Sequence, residues 1–489
     1  MSDTVERPDQ LSGRTIYGHP LGLANLFGIE LWERFSYYGM QGILLYYLYY
    51  SLDQGGLGLS QNAAASVVGA YGGLVYLATV LGCWIADRLL GSEKTLFYGG
   101  VLVLIGHIAL AILPGLGGVA VGLVCVALGS GALKGNATTL VGTLYAEGDP
   151  RQDGGFALFY MGVNLGAFFG PLLTGLLQSS LGFHFGFGLA AIGMALGLAQ
   201  YAAFRRANLT EAGRQVPNPL ERGARLRATL VGLAIVVVIA LGALSGLVTL
   251  SNLAVVATAV EVLAAIIYFV IMLISKKVSS VERSRVIAFV PLFIASVAFW
   301  SMFQQIFTVL SIYSDQRMDW NIFGFDAPPS WLQAEEPIWV ILLAPVFAIL
   351  WTKWGTRQPS VPIKFAIGTA GMGVAFLLFL PFSTGVGRTT PALAVLGILL
   401  VFALAELFLS PNGLSVSTKL APRAFRAQMV ALYFLSVSVG SSLSGVMKTF
   451  YSIQHESAYF GITGLVAIGV GLLIAALSPW VRKKMHGVR

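Results

Sequence analysis

Apolar runs of about 20 residues recur along the whole chain, each long enough to cross the ~30 Å hydrocarbon core of a bilayer as a helix. A segment in that solvent must satisfy its own backbone hydrogen bonds, so it is a helix or part of a closed barrel. Continuous apolar runs, without a two-residue alternation, select the helix. Charge agrees, since only 11% of the 489 residues are charged, too few for a water-facing surface of this size. The windows predict fourteen helices, near 22–50, 61–86, 95–113, 117–145, 153–180, 184–204, 228–248, 252–275, 284–315, 333–354, 362–384, 391–419, 424–448 and 457–480. The chain therefore reads as an all-α integral membrane protein.

A net charge of +8 raises the question of nucleic acid, but its distribution argues for topology instead. Basic residues gather in alternate loops, among them Arg88 and Lys94, Arg205 to Arg227, Lys276 to Arg285, Lys353 and Arg357, and the tail Arg482 to Arg489. The opposite loops hold little beyond Arg317, Arg388 and Lys448. By the positive-inside rule both termini are expected in the cytoplasm of an inner membrane. The first apolar run follows about 20 polar residues without a small-residue cleavage site, so the first helix is expected to remain in the protein. Cys83 and Cys125 lie inside apolar runs and read as packing residues. No metal-ligand spacing or cofactor motif is visible.

Residues 205–227, with Pro217, Pro219 and repeated arginines, read as a cytoplasmic linker. The expected organisation is a six-helix half over 1–204, that linker, a peripheral helix pair over 228–275 and a second six-helix half over 276–489. The pair carries one charge within its helices, Glu261, and so is expected on the outside of the bundle. Transporters built from two six-helix halves place their substrate between the halves near mid-membrane.

Glu30, Glu33 and Arg34 sit within the first apolar run. Each charge costs roughly 2.5–3.5 kcal/mol at the centre of a bilayer, which makes them functional candidates. With Tyr37, Tyr38 and Gln41 they follow i, i+3, i+4, i+7, i+8 and i+11, one stripe turned toward the bundle interior. The plain alternative is a structural ion pair. Lys134 follows a run of small residues, and Glu406 precedes Pro411 and Gly413, which bend or loosen a helix. Cations in the first half and a carboxylate in the second suit a zwitterion with separated charges, such as a short peptide. The competing reading makes Lys134 and Glu406 a gate pair. Tyr76, Tyr160 with Asn164, Trp300 with Gln304, and Tyr433 add polar aromatics and amides to the same helices. His107 and His184 read as packing residues, and the Gly162 and Gly166 pair as close helix contact.

These residues resemble a known family, the proton-dependent oligopeptide transporters of the major facilitator superfamily. The likeness rests on Glu30-x-x-Glu33-Arg34-Phe35, on Phe159-Tyr160 with Asn164 and Gly166, on Phe299-Trp300 with Gln304, and on Glu406 with Pro411-Asn412-Gly413. Asp87-Arg88 with Gly91 is similar to the superfamily's inter-helix loop motif. The resemblance implies the major facilitator fold, with two extra peripheral helices, and a monomeric symporter importing di- and tripeptides with protons. It implies Arg34 and Lys134 toward the peptide carboxylate, Glu406 and Asn164 toward its amino terminus, and Tyr38, Tyr76, Trp300, Gln304 and Tyr433 around it. It also implies proton coupling at Glu30, Glu33, Arg34, Lys134 and Glu406, with no cofactor. Departures from the family pattern are Gln41 for Arg, Gln304 for Glu, Glu336 for Asn, Gly135 for Pro and Tyr433 for Trp. Gln41 and Gln304 thus imply a gate of two neutral amides, and Glu336 an additional titratable group. Competing readings are a same-fold carrier of another anion or zwitterion such as nitrate, and a non-transporting nutrient sensor.

Overall fold

The structure, a computed structural model, describes residues 15–16, 18–146, 149–209, 211–385 and 387–488. The first fourteen residues and Arg489, whose side of the membrane the charge pattern assigns, lie outside the described residues. Among the described residues fourteen helical rods follow one another, as the apolar windows predict. They are α1 (Leu21–Tyr49), α2 (Gln61–Ile85), α3 (Ser92–Ile112), α4 (Gly115–Thr143), α5 (Gln152–Leu181), α6 (Phe183–Asn208), α7 (Arg222–Leu244) and α8 (Leu253–Ile274). The ninth rod is α9 (Ser280–Phe303) joined to α10 (Val309–Arg317) by a tight turn over Gln304–Phe307. Then come α11 (Leu332–Trp354), α12 (Val361–Leu377), α13 (Ala392–Leu420), α14 (Arg426–Met447) and α15 (Glu456–Lys484). Thirteen segments among the described residues are long and apolar enough to span a membrane. The remaining rod, α1, holds the buried Glu30, Glu33, Arg34 and Gln41. The protein is a multi-pass membrane protein.

Packing divides the chain into two compact units, one of residues 1–57 with 77–249 and one of residues 58–76 with 250–489. In the first unit α1 lies along α5 and α6, while α3 lies along α4 and α6. Glycine makes the α1 and α5 backbones meet. A β-carbon at Gly166 would stand 2.8 Å from both the Arg34 β-carbon and the Phe35 nitrogen. Gly39 on α1 faces Gly170 on α5 in the same way, and Thr174 Oγ1 donates to Gly39 O at 2.9 Å. Gly166→Val is therefore expected to force α1 off α5, and overpacking of this kind costs about 1–3 kcal/mol. Its thermal midpoint in detergent should fall, while Gly188→Val, where nothing stands within 4 Å, should leave the midpoint unchanged.

At the end of α2 the helix widens into a π turn over Ala86–Leu90 and stops at Gly91, whose φ of 79° suits glycine alone. The segment between α6 and α7 docks on this turn. Asn218 donates from its backbone to Asp87 O at 2.9 Å and from Nδ2 to Asp87 Oδ1 at 2.8 Å. Leu220 N donates to Arg88 O at 3.1 Å. The Asp87-Arg88 motif thus holds the linker through backbone and side chain together.

In the second unit α12 packs on α15, α13 and α9, and α14 packs on α9 and α8. Arg317 closes α10 as a buried guanidinium, bonded to Glu456 Oε2 (3.0 Å), Gly387 O (2.7 Å) and Phe382 O (2.9 Å). The loop charge read from the sequence is therefore an interior clamp.

Candidate functional site

The first unit brings four ionisable residues together where α1 meets α4. Helical spacing sets Glu30 one turn before Arg34, and Arg34 Nε reaches Glu30 Oε1 at 2.9 Å. The same nitrogen lies 2.8 Å from Glu33 Oε2. From α4, Ser130 donates its hydroxyl to Glu33 Oε1 at 2.6 Å. Lys134, one turn beyond Ser130, is near enough for its charge to act on Glu33. Glu33 is 0% and Arg34 2% exposed, so neither charge is solvated by bulk water. A guanidinium has five donors, yet Arg34 Nη2 is buried without a hydrogen-bond partner, as is Glu30 Oε2.

Two carboxylates and two cations in this space balance when all are ionised. Adding one proton to either carboxylate leaves a cation in excess, able to hold an anion. That exchange is the chemistry the cluster can perform. Ser130 was not singled out in the sequence, because a neutral serine costs little in a membrane. Its place one turn before Lys134, on the same helix face, is the signal that would have found it.

Other predicted residues of this unit stand nearby along the same helices. Tyr38 lies on α1 one turn beyond Arg34, with its ring 5.1 Å from that of Tyr37, in edge contact. Asn164 is buried within α5 and bonds back along its own helix, Nδ2 donating to Tyr160 O at 2.9 Å. Two residues on, Gly166 brings α5 against Arg34. Gln41 is buried further along α1 with its Oε1 unpartnered. Tyr160 is exposed, unlike the rest. His184 bonds through Nδ1 to Leu110 O at 3.0 Å, whereas His107 is buried in α3 with both ring nitrogens unpartnered.

The second unit makes a separate cluster of carboxyls and rings. Glu336 on α11 and Glu406 on α13 face one another in a side-chain hydrogen bond. Two carboxyls can share such a bond only if one carries the proton. Tyr433 on α14 is buried, and its hydroxyl donates to Ser410 O at 3.2 Å, one turn beyond Glu406. Gly413 leaves the space that the Tyr433 ring fills. Tyr76 and Glu406 both act electrostatically on the Tyr433 hydroxyl. Trp300 on α9 is buried, packed against Phe299 and Phe303 with ring centroids 5.1 and 5.2 Å away. Gln304 is buried at the start of the turn that interrupts the ninth rod. Its neighbour Gln305 holds that turn, donating to Ser301 O at 3.3 Å and accepting from Tyr459 at 2.7 Å. The first unit thus brings together Glu30, Glu33, Arg34 and Lys134, and the second Tyr76, Glu336, Glu406 and Tyr433.

Known proteins share this arrangement of helices. A model of the POT family matches residues 93–466. An uncharacterised transporter of Bacillus subtilis (strain 168), YclF, is 42% identical over 475 residues, 96% of each chain. A di-/tripeptide transporter of Lactococcus lactis subsp. cremoris is 39% identical over 491 residues, 97% of this chain and 98% of its own. The crystal structure of a peptide transporter POT in complex with sulfate superimposes with a TM-score of 0.93 at 42% identity, covering 98% of this chain and 100% of that one. With the family match running over most of the sequence and these relatives spanning nearly all of it, the chain belongs to the POT family.

Proposed function

We propose that this chain imports di- and tripeptides together with protons by alternating access, as a monomer in the inner membrane with both termini in the cytoplasm. Its relationship to a di-/tripeptide transporter over 97% of its length supports the substrate class. The observation that carries the mechanism is the Arg34 cluster, where one guanidinium serves two buried carboxylates and keeps Nη2 unbonded. Protonation of Glu30 or Glu33 releases Arg34 and Lys134 to take the peptide carboxylate, so the proton and the anion enter under one charge balance. Glu406 and Asn164 take the amino terminus, Glu336 adds a second protonatable carboxyl beside Glu406, and Tyr38, Tyr76, Trp300 and Tyr433 line the side-chain pockets. Gln304 serves both as a lining residue and, with Gln41, as a gate of two amides, insensitive to pH because neither ionises. The halves 1–204 and 276–489 are the moving parts of this mechanism, with 205–227 as their linker and 228–275 as a peripheral pair.

Uptake of labelled dialanine into proteoliposomes tests the reading. An inside-alkaline, inside-negative gradient is expected to concentrate the peptide, and a protonophore to abolish the concentration. Unlabelled trialanine should compete and nitrate should not. Competition by nitrate without trialanine would transfer the protein to a carrier of small anions. Binding without any movement of label would make it a sensor.

A further inference from the structure

The mechanism leaves a buried carboxyl on α8 unused. Glu261 is the one charged residue of α8. This side chain is turned away from lipid, 1% exposed, toward α14 and the first half of α2. Its Oε1 accepts from Ser438 Oγ at 2.8 Å and from Ser442 Oγ at 3.0 Å, two hydroxyls one turn apart on α14. Its Oε2 is buried without a hydrogen-bond partner. Gly73 on α2 makes the room, because a β-carbon there would collide with Ser442 Oγ and Glu261 Oε1.

A second contact lies two turns away in matching register. Ala254 N, an otherwise unpaired donor in the first turn of α8, donates to Ser66 Oγ at 2.9 Å. Ser66 precedes Gly73 by seven residues and Ala254 precedes Glu261 by seven, so α8 runs parallel to α2 and is fastened at two levels. Besides Glu261, the titratable residues of the packed helices are Tyr71, Tyr76 and Cys83 on α2, Tyr268 on α8, Glu282, Arg283 and Arg285 on α9, and Arg426 and Tyr433 on α14. Among the described residues none of these bonds to Glu261, whose partners are the two serines. An ionised carboxylate there has no countercharge, which favours the neutral acid in a membrane.

Ser438 makes the protonation state matter. Its oxygen lies 2.8 Å from Glu261 Oε1 and 2.8 Å from Gly73 O, two acceptors for a hydroxyl that has one proton. With Glu261 ionised, that proton points to the carboxylate and Gly73 O goes without it. With a proton on Oε1, the carboxyl donates to Ser438 Oγ, and the serine proton turns to Gly73 O. One O–H bond forms, at Oε1 with a proton taken up from water, and one hydroxyl rotates; no bond between heavy atoms changes. We propose that Glu261, Ser438, Ser442 and the Gly73 carbonyl form a proton-binding site inside the membrane, whose occupancy fastens α8 to α14 and α2. Oxygen separations of 2.8 and 3.0 Å are hydrogen-bond lengths and leave no gap for a metal cation between them.

The test uses the full-length protein in lipid nanodiscs, without peptide, so its outcome is independent of the import reading. Amide exchange across α8 is measured between pH 5 and pH 9 and corrected for intrinsic rates, with infrared difference spectra for the protonated carboxyl band. Wild-type α8 should lose protection by about tenfold or more at the alkaline end, as an unpaired charge appears in the membrane. Glu261→Gln, isosteric with the acid, should lose the carboxyl band and keep α8 protected throughout. Ser438→Ala should keep the band but weaken protection at pH 5. Unchanged pH dependence of α8 in Glu261→Gln would overturn the proposal. So would sodium restoring protection at pH 9, which would make the site one for a metal cation.

Discussion

Glu33→Gln protein in liposomes is expected to exchange dialanine across the membrane yet fail to concentrate it. A single coupled charge driven by −100 mV supports an accumulation of about 50-fold, and the variant should settle near a ratio of one. The argument rests on what the amide keeps and what it loses. Its carbonyl still accepts from Ser130, and its volume matches the carboxyl, so α1 and α4 stay packed. It loses the charge that Arg34 Nε meets at 2.8 Å, and it cannot take up a proton. Arg34 then retains Glu30 alone, at 2.9 Å, and the release of the guanidinium is no longer tied to proton entry at Glu33. Counterflow of labelled against unlabelled dialanine should persist, which separates lost coupling from lost folding. Accumulation by the variant under an imposed gradient would show that Glu33 is not the coupling acid.

The largest loss of stability is expected at Arg317, away from that chemistry. Its side chain is 1% exposed and satisfies three acceptors on separate segments: Glu456, Phe382 and Gly387. Glu456 also accepts from Tyr451 at 2.8 Å. Arg317→Met strands a buried carboxylate and two carbonyls, and breaking such a pair from one side costs about 3–5 kcal/mol. The thermal midpoint in detergent should drop further than for Gly166→Val. Adding Glu456→Gln to the same chain should recover part of the loss, because the stranded charge is gone. A midpoint equal to wild type in Arg317→Met would mean that the clamp contributes nothing net.

Most helix ends fall within a few residues of the apolar windows, since hydrophobic length is a local property of the sequence. The exceptions have physical causes. α7 starts at Arg222 rather than near 228, because its first turns are polar and read as linker although nothing in them breaks a helix. The break at Gln304–Phe307 has neither proline nor glycine to announce it, and depends on Gln305 finding Ser301 and Tyr459. In the candidate site, Glu30 and Arg34 were legible as a pair because four residues make one helical turn. The approach of Lys134 to Glu33, and of Glu336 to Glu406, depends on how separate helices pack and carries no local spacing. Arg317 read as a loop charge for the same reason.

α7 has none of its most apolar stretch buried, in contrast to the other helices of its unit. Its 22 residues from Gly223 to Leu244 give a rod of about 33 Å, close to the hydrocarbon thickness. A rod ringed by acyl chains is free to lean, and tilt is how such a rod adapts to thicker or thinner membranes. Lipid chain length should therefore change the inclination of α7 before it disturbs the packed helices around Arg34.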